Sequence, residues 1–235
     1  MRDGQIIVTG GSRGIGAAIV ERLTAAGFTV AVLSRSGECP AGYGIVCDVA
    51  DEASLAAAIR SVAERGPIAG LVNNAGFHEA HASDRITVEE FERTMHVNTT
   101  AAIVACREAY PHFKANGGGL IVNMGSFFDK LGVAGNVAYC ASKAAIGAVT
   151  RCLAVEWAKD GIRVMNVAPG YIETDLNRDF LAKPKVKDWL ATRVPVKRPG
   201  QATEVAELIS TMFERPIGFL TGETIYIDGG QGMNH

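Results

Sequence analysis

The stretch Gln5-Ile6-Ile7-Val8-Thr9-Gly10-Gly11-Ser12-Arg13-Gly14-Ile15-Gly16 carries a short apolar strand straight into a glycine-rich turn, and an alanine-rich amphipathic helix follows. Strand, glycines and helix in that order are what a phosphate-binding turn requires. Glycines at 10, 14 and 16 permit a tight turn, close approach of backbone to a pyrophosphate, and close helix–strand packing. The start of the helix offers unpaired N–H groups to the anion, with Ser12, Arg13 and Ile15 beside the glycines. An ordinary loop is the alternative, and the periodicities on both sides argue against it.

Outward from this turn, short apolar runs recur at 29–33, 44–46, 70–72, 120–124, 163–167 and 224–227, separated by helical patterns at 14–26, 51–65, 87–116, 138–159 and 202–213. Runs without polar alternation belong to strands covered on both faces. With the strand at 5–9, the pattern predicts seven strands in one doubly wound parallel sheet, an α/β architecture with helices on both faces. Asp51 and Thr203 stand where helix caps are needed. No repeat or composition break divides residues 1–235, so one domain is expected. The irregular stretch is 171–200, with Pro184, Pro195 and Pro199, which reads as a substrate-binding loop with one or two short helices.

Composition narrows the function. The chain has 235 residues, of which 48% are hydrophobic and 27 are glycine, enough for a sizeable core. A net charge of −2 argues against general nucleic-acid binding. No apolar run approaches the roughly 18 residues of a membrane span, so a soluble protein is expected. The apolar run from Ile6 leaves no room for a leader, which predicts a cytoplasmic protein. Cys39, Cys47, Cys106, Cys140 and Cys152 are odd in number and form no Cys-x-x-Cys pair, so they read as reduced thiols. His78 and His81 lack a third ligand, and no metal is expected; a loop histidine near the substrate is the better reading.

After the second strand the chain reads Ser34-Arg35-Ser36. A dinucleotide fold selecting NAD places a carboxylate here for the ribose 2′-hydroxyl, whereas a guanidinium matches a 2′-phosphate. Arg35, with Arg13 as a second cation and Ser34 as a donor, therefore favours NADP over NAD, although Glu38 could still reach a ribose. Asp48 and Val49 follow the third strand, placed for the adenine amino group and ring; Asp48 could equally cap the next helix. Asn73-Asn74-Ala75-Gly76 ends the fourth strand with two amides and two small residues, which lets backbone pass close to the cofactor ribose.

Tyr139 and Lys143 are four residues apart on a predicted helix and share a face, with Ser126 thirteen residues before the tyrosine. An adjacent cation lowers a phenol from its usual value of about 10, and Lys143 is placed to do that. By itself the spacing also fits a surface lysine beside a packed tyrosine.

Together, Thr9-Gly-x3-Gly-x-Gly16, Asn73-Asn-Ala-Gly76, Asn98, Ser126, Tyr139-x3-Lys143 and Pro169-Gly170 resemble the short-chain dehydrogenase/reductase family along the whole chain. The resemblance implies a one-domain Rossmann fold, hydride transfer between nicotinamide and a carbonyl or secondary alcohol, and a homotetramer or homodimer packed through the long helices and last strand. It makes Tyr139 the general acid and base, and Ser126 the hydrogen-bond partner of the substrate oxygen. Lys143 would lower the tyrosine and hold the ribose hydroxyls, and Asn98 would hold a water linking Lys143 to solvent. The segment from Pro169 and Gly170 to Thr174 would bind the carboxamide through Ile172 backbone and the Thr174 hydroxyl. A non-catalytic dinucleotide-binding regulator should lack part of the Asn98, Ser126, Tyr139, Lys143 set; this chain has all four.

For the substrate, Phe77, Phe127, Phe128, Tyr171 and Trp189 predict an apolar rim. Residues 177–198 hold seven basic and two acidic side chains, a basic lid that would attract an anion such as an acyl thioester. The family resemblance suggests a 3-oxoacyl thioester of coenzyme A or a carrier protein, with small sugars and cyclic or aromatic alcohols as alternatives. Gly117 and Asp160 stand where relatives that take carrier proteins tend to have basic residues.

Overall fold

The computed structural model describes residues 4–233. In chain order it contains β1 (Gln5–Thr9), α1 (Gly14–Ala25), β2 (Thr29–Ser34), β3 (Tyr43–Val46), α2 (Glu52–Arg65), β4 (Ile68–Asn73), α3 (Val88–Met95), α4 (Ala101–Ala115), β5 (Gly119–Met124), α5 (Val137–Trp157), β6 (Ile162–Pro169), β7 (Ile172–Glu173), α6 (Arg178–Leu181), α7 (Pro184–Arg193), β8 (Gly200–Gln201), α8 (Ala202–Glu214) and β9 (Thr224–Ile227). The main sheet is parallel, in the order β3-β2-β1-β4-β5-β6-β9.

The strands are apolar on both faces because two cores flank them. Ile6 and Val8 pack with Ile19 and Leu23 of α1 and with Ile209 and Phe213 of α8. Ile7, between them, packs on the other side with Leu55 and Ile59 of α2 and with Cys106 and Phe113 of α4. Strand order reverses between β1 and β4, so the crevice beyond their carboxyl ends is the switch point where an open α/β sheet binds ligands.

A row of buried amides fixes the catalytic end of the sheet. Asn73, Asn123 and Asn166 are in register on β4, β5 and β6. Asn73 Nδ2 donates to Asn123 Oδ1 at 2.8 Å, and Asn123 Nδ2 donates to Thr150 Oγ1 of α5 at 2.9 Å. These two contacts tie α5 to the sheet in one register, while Asn73 Oδ1 and Asn166 Oδ1 are buried without a hydrogen-bond partner.

Three local features depart from the sequence reading. The helix predicted over 87–116 is interrupted: His96–Thr100 forms a π-type turn, closed by Ala101 N–H to the His96 carbonyl, between α3 and α4. Gln201, in a capping box with Glu204, caps α8 in place of Thr203. Within 171–200, β7 pairs with β8 in a small second sheet, and α7 starts on Pro184, whose missing N–H costs nothing there. Asp51 caps α2 through Ala53 N–H at 3.0 Å. Among the described residues no helix is long and apolar enough to cross a membrane.

Candidate active site

The glycine turn is held by the ends of two strands. Thr9 Oγ1 accepts from the N–H groups of Asn74 and Ala75, both at 3.0 Å. Asn74 Nδ2 returns two bonds, to the carbonyls of Thr9 and Gly10, also at 3.0 Å. The Asn74 side chain is therefore committed to building the turn. This packing leaves no room for a Cβ at Gly16, which would lie 2.3 Å from the Gly10 carbonyl oxygen and 2.5 Å from Asn74 Nδ2.

Beyond the turn opens a cavity of about 460 Å³. Gly10, Arg13, Ser34, Arg35, Asp48, Val49, Ala75 and Gly76 all line it, so eight of the residues expected to hold the cofactor meet in one place. Backbone that passes without side chains at Gly10 and Gly76, with two guanidinium groups and a carboxylate lining the same cavity, suits a nicotinamide dinucleotide. Two members are also tied to their own segments. Ser34 Oγ closes the local turn, accepting from Gly37 N–H at 3.1 Å and donating to the Glu38 carbonyl at 3.3 Å, which leaves Arg13 and Arg35 as the cations on the cavity wall nearest that turn in sequence. Asp48 Oδ1 accepts from Ala50 N–H at 3.0 Å, an Asx turn that leads into α2. The side chains of Ile15 and Ile172 pack against the core beside α1.

The segment after β6 reaches the same turn. Thr174 lies against Gly14, with Cγ2 3.7 Å from where a Cβ there would stand. Asn177 fixes the segment, accepting from Thr174 N–H and donating to the Ile172 carbonyl, both at 2.8 Å.

Tyr139 and Lys143 occupy successive turns of α5, and Ser126 follows β5. The Ser126 hydroxyl is the polar group that acts on the Tyr139 phenol, favouring its ionised form. Lys143 is 6% exposed, and its ammonium donates to the Met124 carbonyl at 2.8 Å. Gly76 joins this group to the cavity: a Cβ there would sit 3.0 Å from Asn98 Oδ1 and 3.8 Å from Lys143 Nζ. Asn98, in the π-type turn, clamps Phe77 through both backbone groups at 3.0 Å and donates to Ser142 Oγ at 3.1 Å. Its side chain is thus committed to the loop after β4 and to α5.

One expectation is overturned. Burial raises the Tyr139 phenol above its usual value, with the Ser126 hydroxyl opposing it, and Lys143 is absent from the influences on it. The ammonium is directed at Met124 and sits 5.6 Å from the phenol ring centroid. Burial lowers Lys143 itself from 10.5 to about 8. Because the folded value is depressed, the unfolded chain holds the extra proton between pH about 8 and 10.5, and native stability rises with pH across that window. The depression is worth roughly 3 kcal/mol at about 1.4 kcal/mol per pH unit. Lys143→Met therefore stabilises the free protein at pH 7, less the lost Met124 bond, raising Tm by about 3–6 °C. Thermal melts should show this gain vanishing by pH 10.5; a lower Tm at pH 7 would contradict it.

An aromatic wall completes the site. Phe128 lies 5.8 Å from Tyr139 and 6.3 Å from Tyr171, and Tyr171 lies 5.3 Å from Trp189, all near-perpendicular. The lid is less basic than its sequence suggests. Arg178 pairs with Glu173 and Asp175, and Arg198 with Glu204, so residues 173–204 carry seven basic groups against five acidic ones. Neither His78 nor His81 joins a metal site: His78 bonds Asn136, and His81 lies between Glu79 and Glu90. Among the described residues no cluster of His, Cys, Asp and Glu could hold a metal ion. The contacts of His78 and Asn74 follow from tertiary placement, and no local sequence pattern announces them.

A family model described as Enoyl-(Acyl carrier protein) reductase matches residues 10–232. The chain is 36% identical over 232 residues to the 3-oxoacyl-[acyl-carrier-protein] reductase MabA of Mycobacterium bovis, covering 98% of this chain and 93% of that one. It is 34% identical over 244 residues to a glucose 1-dehydrogenase of Gluconobacter oxydans, covering 96% and 91%. A gluconate 5-dehydrogenase from Burkholderia cenocepacia, solved with NADP and tartrate, superposes with a TM-score of 0.91 at 29% identity, covering 100% of this chain and 97% of that one.

Proposed function

The chain belongs to the short-chain dehydrogenase/reductase family, and from that footing we propose that it reduces the ketone of a 3-oxoacyl thioester, with NADPH as the donor. It is an NAD(P)-dependent oxidoreductase acting between CH–OH and C=O. The observation that carries the chemistry is the grouping of the Tyr139 phenol with the Ser126 hydroxyl and buried Lys143.

In this reading Arg13 and Arg35 hold the 2′-phosphate, Asp48 and Val49 the adenine, and Ala75 and Gly76 pass the ribose. Lys143 holds the nicotinamide ribose, and residues 169–174 the carboxamide. Bound there, the nicotinamide supplies the hydride. Ser126 donates to the substrate oxygen as negative charge develops, and Tyr139 gives that oxygen its proton. Burial keeps the phenol protonated at neutral pH, the form that reduction consumes. Lys143 replaces that proton, resupplied through water at the turn containing Asn98. Exposed Ile103, Val137 and Val155 on α4 and α5 support a homotetramer through those helices.

Similarity to MabA and the net positive lid support the thioester. Asp160 accepts from the Tyr110 hydroxyl and faces Lys114, an arrangement that favours a coenzyme A ester over a carrier protein. A sugar acid is the second reading, favoured by the same lid and by the similarity to the gluconate 5-dehydrogenase. Turnover of acetoacetyl-CoA, its N-acetylcysteamine analogue, gluconate-derived ketones and cyclic ketones with each cofactor decides between them. Thioester reduction should lead; activity confined to sugars would overturn the first reading. Replacing Arg13 and Arg35 together with alanine should raise the KM for NADPH about 10- to 100-fold and leave NADH little changed. Equal effects on both cofactors would remove the NADP assignment.

A further inference from the structure

His78 lies two residues beyond Gly76, on the exposed loop at the mouth of the cleft. Its Nε2 is hydrogen-bonded to Asn136 Oδ1. Asn136 Nδ2 donates to the Ala134 carbonyl at 2.9 Å, so the amide oxygen is the acceptor and His78 carries its proton on Nε2. Asn136 is 8% exposed and stands just before α5, where its own carbonyl accepts from Cys140 N–H at 2.9 Å. The histidine is therefore fastened to the base of the helix that carries Tyr139. A second tie reinforces it: His81 N–H donates to the Gly135 carbonyl at 2.8 Å.

The imidazole ring lies 4.8 Å from the Tyr139 ring, at 82°. Phe128 lies 5.8 Å from the same phenol at 85°, and 6.4 Å from His78 at 82°. Three mutually perpendicular rings, contributed by the loop after β4, the loop after β5 and α5, thus enclose one another. Edge-to-face contacts of this kind fix ring planes, at about 0.5–1.5 kcal/mol each. Against Tyr139, His78 and Phe128 fix how the ring is turned.

We propose that His78 is a positioning residue for Tyr139, acting through two parts, an imidazole face against the phenol and an Nε2–H latch to Asn136. The proposal rests on Tyr139 as the proton donor. Proton transfer depends on alignment, and a misplacement of about 1 Å costs on the order of 100-fold. Neither the cavity nor the glycine turn depends on His78, so a loss confined to turnover is its signature.

Three variants separate the parts. His78→Phe keeps a ring and loses the latch, His78→Gln keeps an N–H donor and loses the ring, and His78→Ala loses both. His78→Ala should lower kcat about 10- to 100-fold, with NADPH affinity by fluorescence titration unchanged and Tm lowered by only a few degrees. Each of the other two should recover part of the loss. A kcat within twofold of wild type for His78→Ala would overturn the proposal, as would equal losses of turnover and NADPH affinity. Tyr139→Phe run alongside separates the two failures: if it stays active, the assignment of Tyr139 falls, whereas an inactive Tyr139→Phe beside a fully active His78→Ala removes only the latch.

Discussion

Tyr139→Phe should lower kcat by about 10²- to 10⁴-fold while leaving the Kd for NADPH within about twofold of wild type. The substitution removes one oxygen from a phenol on which Ser126 acts and leaves the ring contacts with His78 and Phe128 available. Cofactor affinity is spared because the cavity beside the glycine turn is lined by other residues. The loss is confined to proton delivery, so KM for the ketone should change little. Steady-state kinetics with a fluorescence titration of NADPH measures both halves. A parallel loss of cofactor binding would mean that the hydroxyl also holds the cofactor and does not serve proton delivery alone.

Gly16→Ala should produce the largest effect on cofactor binding. Its methyl would stand 2.3 Å from a backbone oxygen and 2.5 Å from Asn74 Nδ2, and neither neighbour is a flexible chain end. Relief requires the Gly10 peptide or Asn74 to move, and both belong to the network that links Thr9, Gly10, Asn74 and Ala75. Overpacking of this kind costs about 1–3 kcal/mol, a fall in Tm of several degrees. Because the displaced backbone is the phosphate-facing turn, the Kd for NADPH should rise about 100-fold or more. Calorimetric titration with a thermal melt reads the two effects; unchanged affinity would show that the turn does not contact the cofactor.

The sheet was legible in the sequence because strands buried on both faces leave an unambiguous trace: Ile6, Ile7 and Val8 are consecutive and apolar since two cores flank β1. The glycine turn was legible for a similar reason, its side-chain-free positions being required by contacts made locally. Tyr139 and Lys143 could be paired from their spacing, but the direction of the phenol shift could not. That sign depends on how far each group is removed from water and on where the ammonium finds an acceptor, and Met124, the acceptor, lies on another element. The local bonds of Asn74 and Ser34 could not be foreseen either. Both amide and hydroxyl suited a ligand, and nothing local indicated that Thr9, Gly10, Gly37 and Glu38 would claim them first. The π-type turn at His96–Thr100 was foreshadowed only by Asn98, a residue that competes with helix hydrogen bonds.

The central claim is that this site moves a hydride from a nicotinamide to a carbonyl carbon while Tyr139 supplies the proton. NADPH doubly deuterated at the nicotinamide C4, incubated with the protein and acetoacetyl-CoA, tests it most directly by mass spectrometry of the product. The account predicts a secondary alcohol with one deuterium on the carbinol carbon and a proton from water on its oxygen, formed at wild-type rate only when Tyr139 is present. An alcohol without deuterium, deuterium at any other carbon, or full-rate labelling by Tyr139→Phe would contradict it.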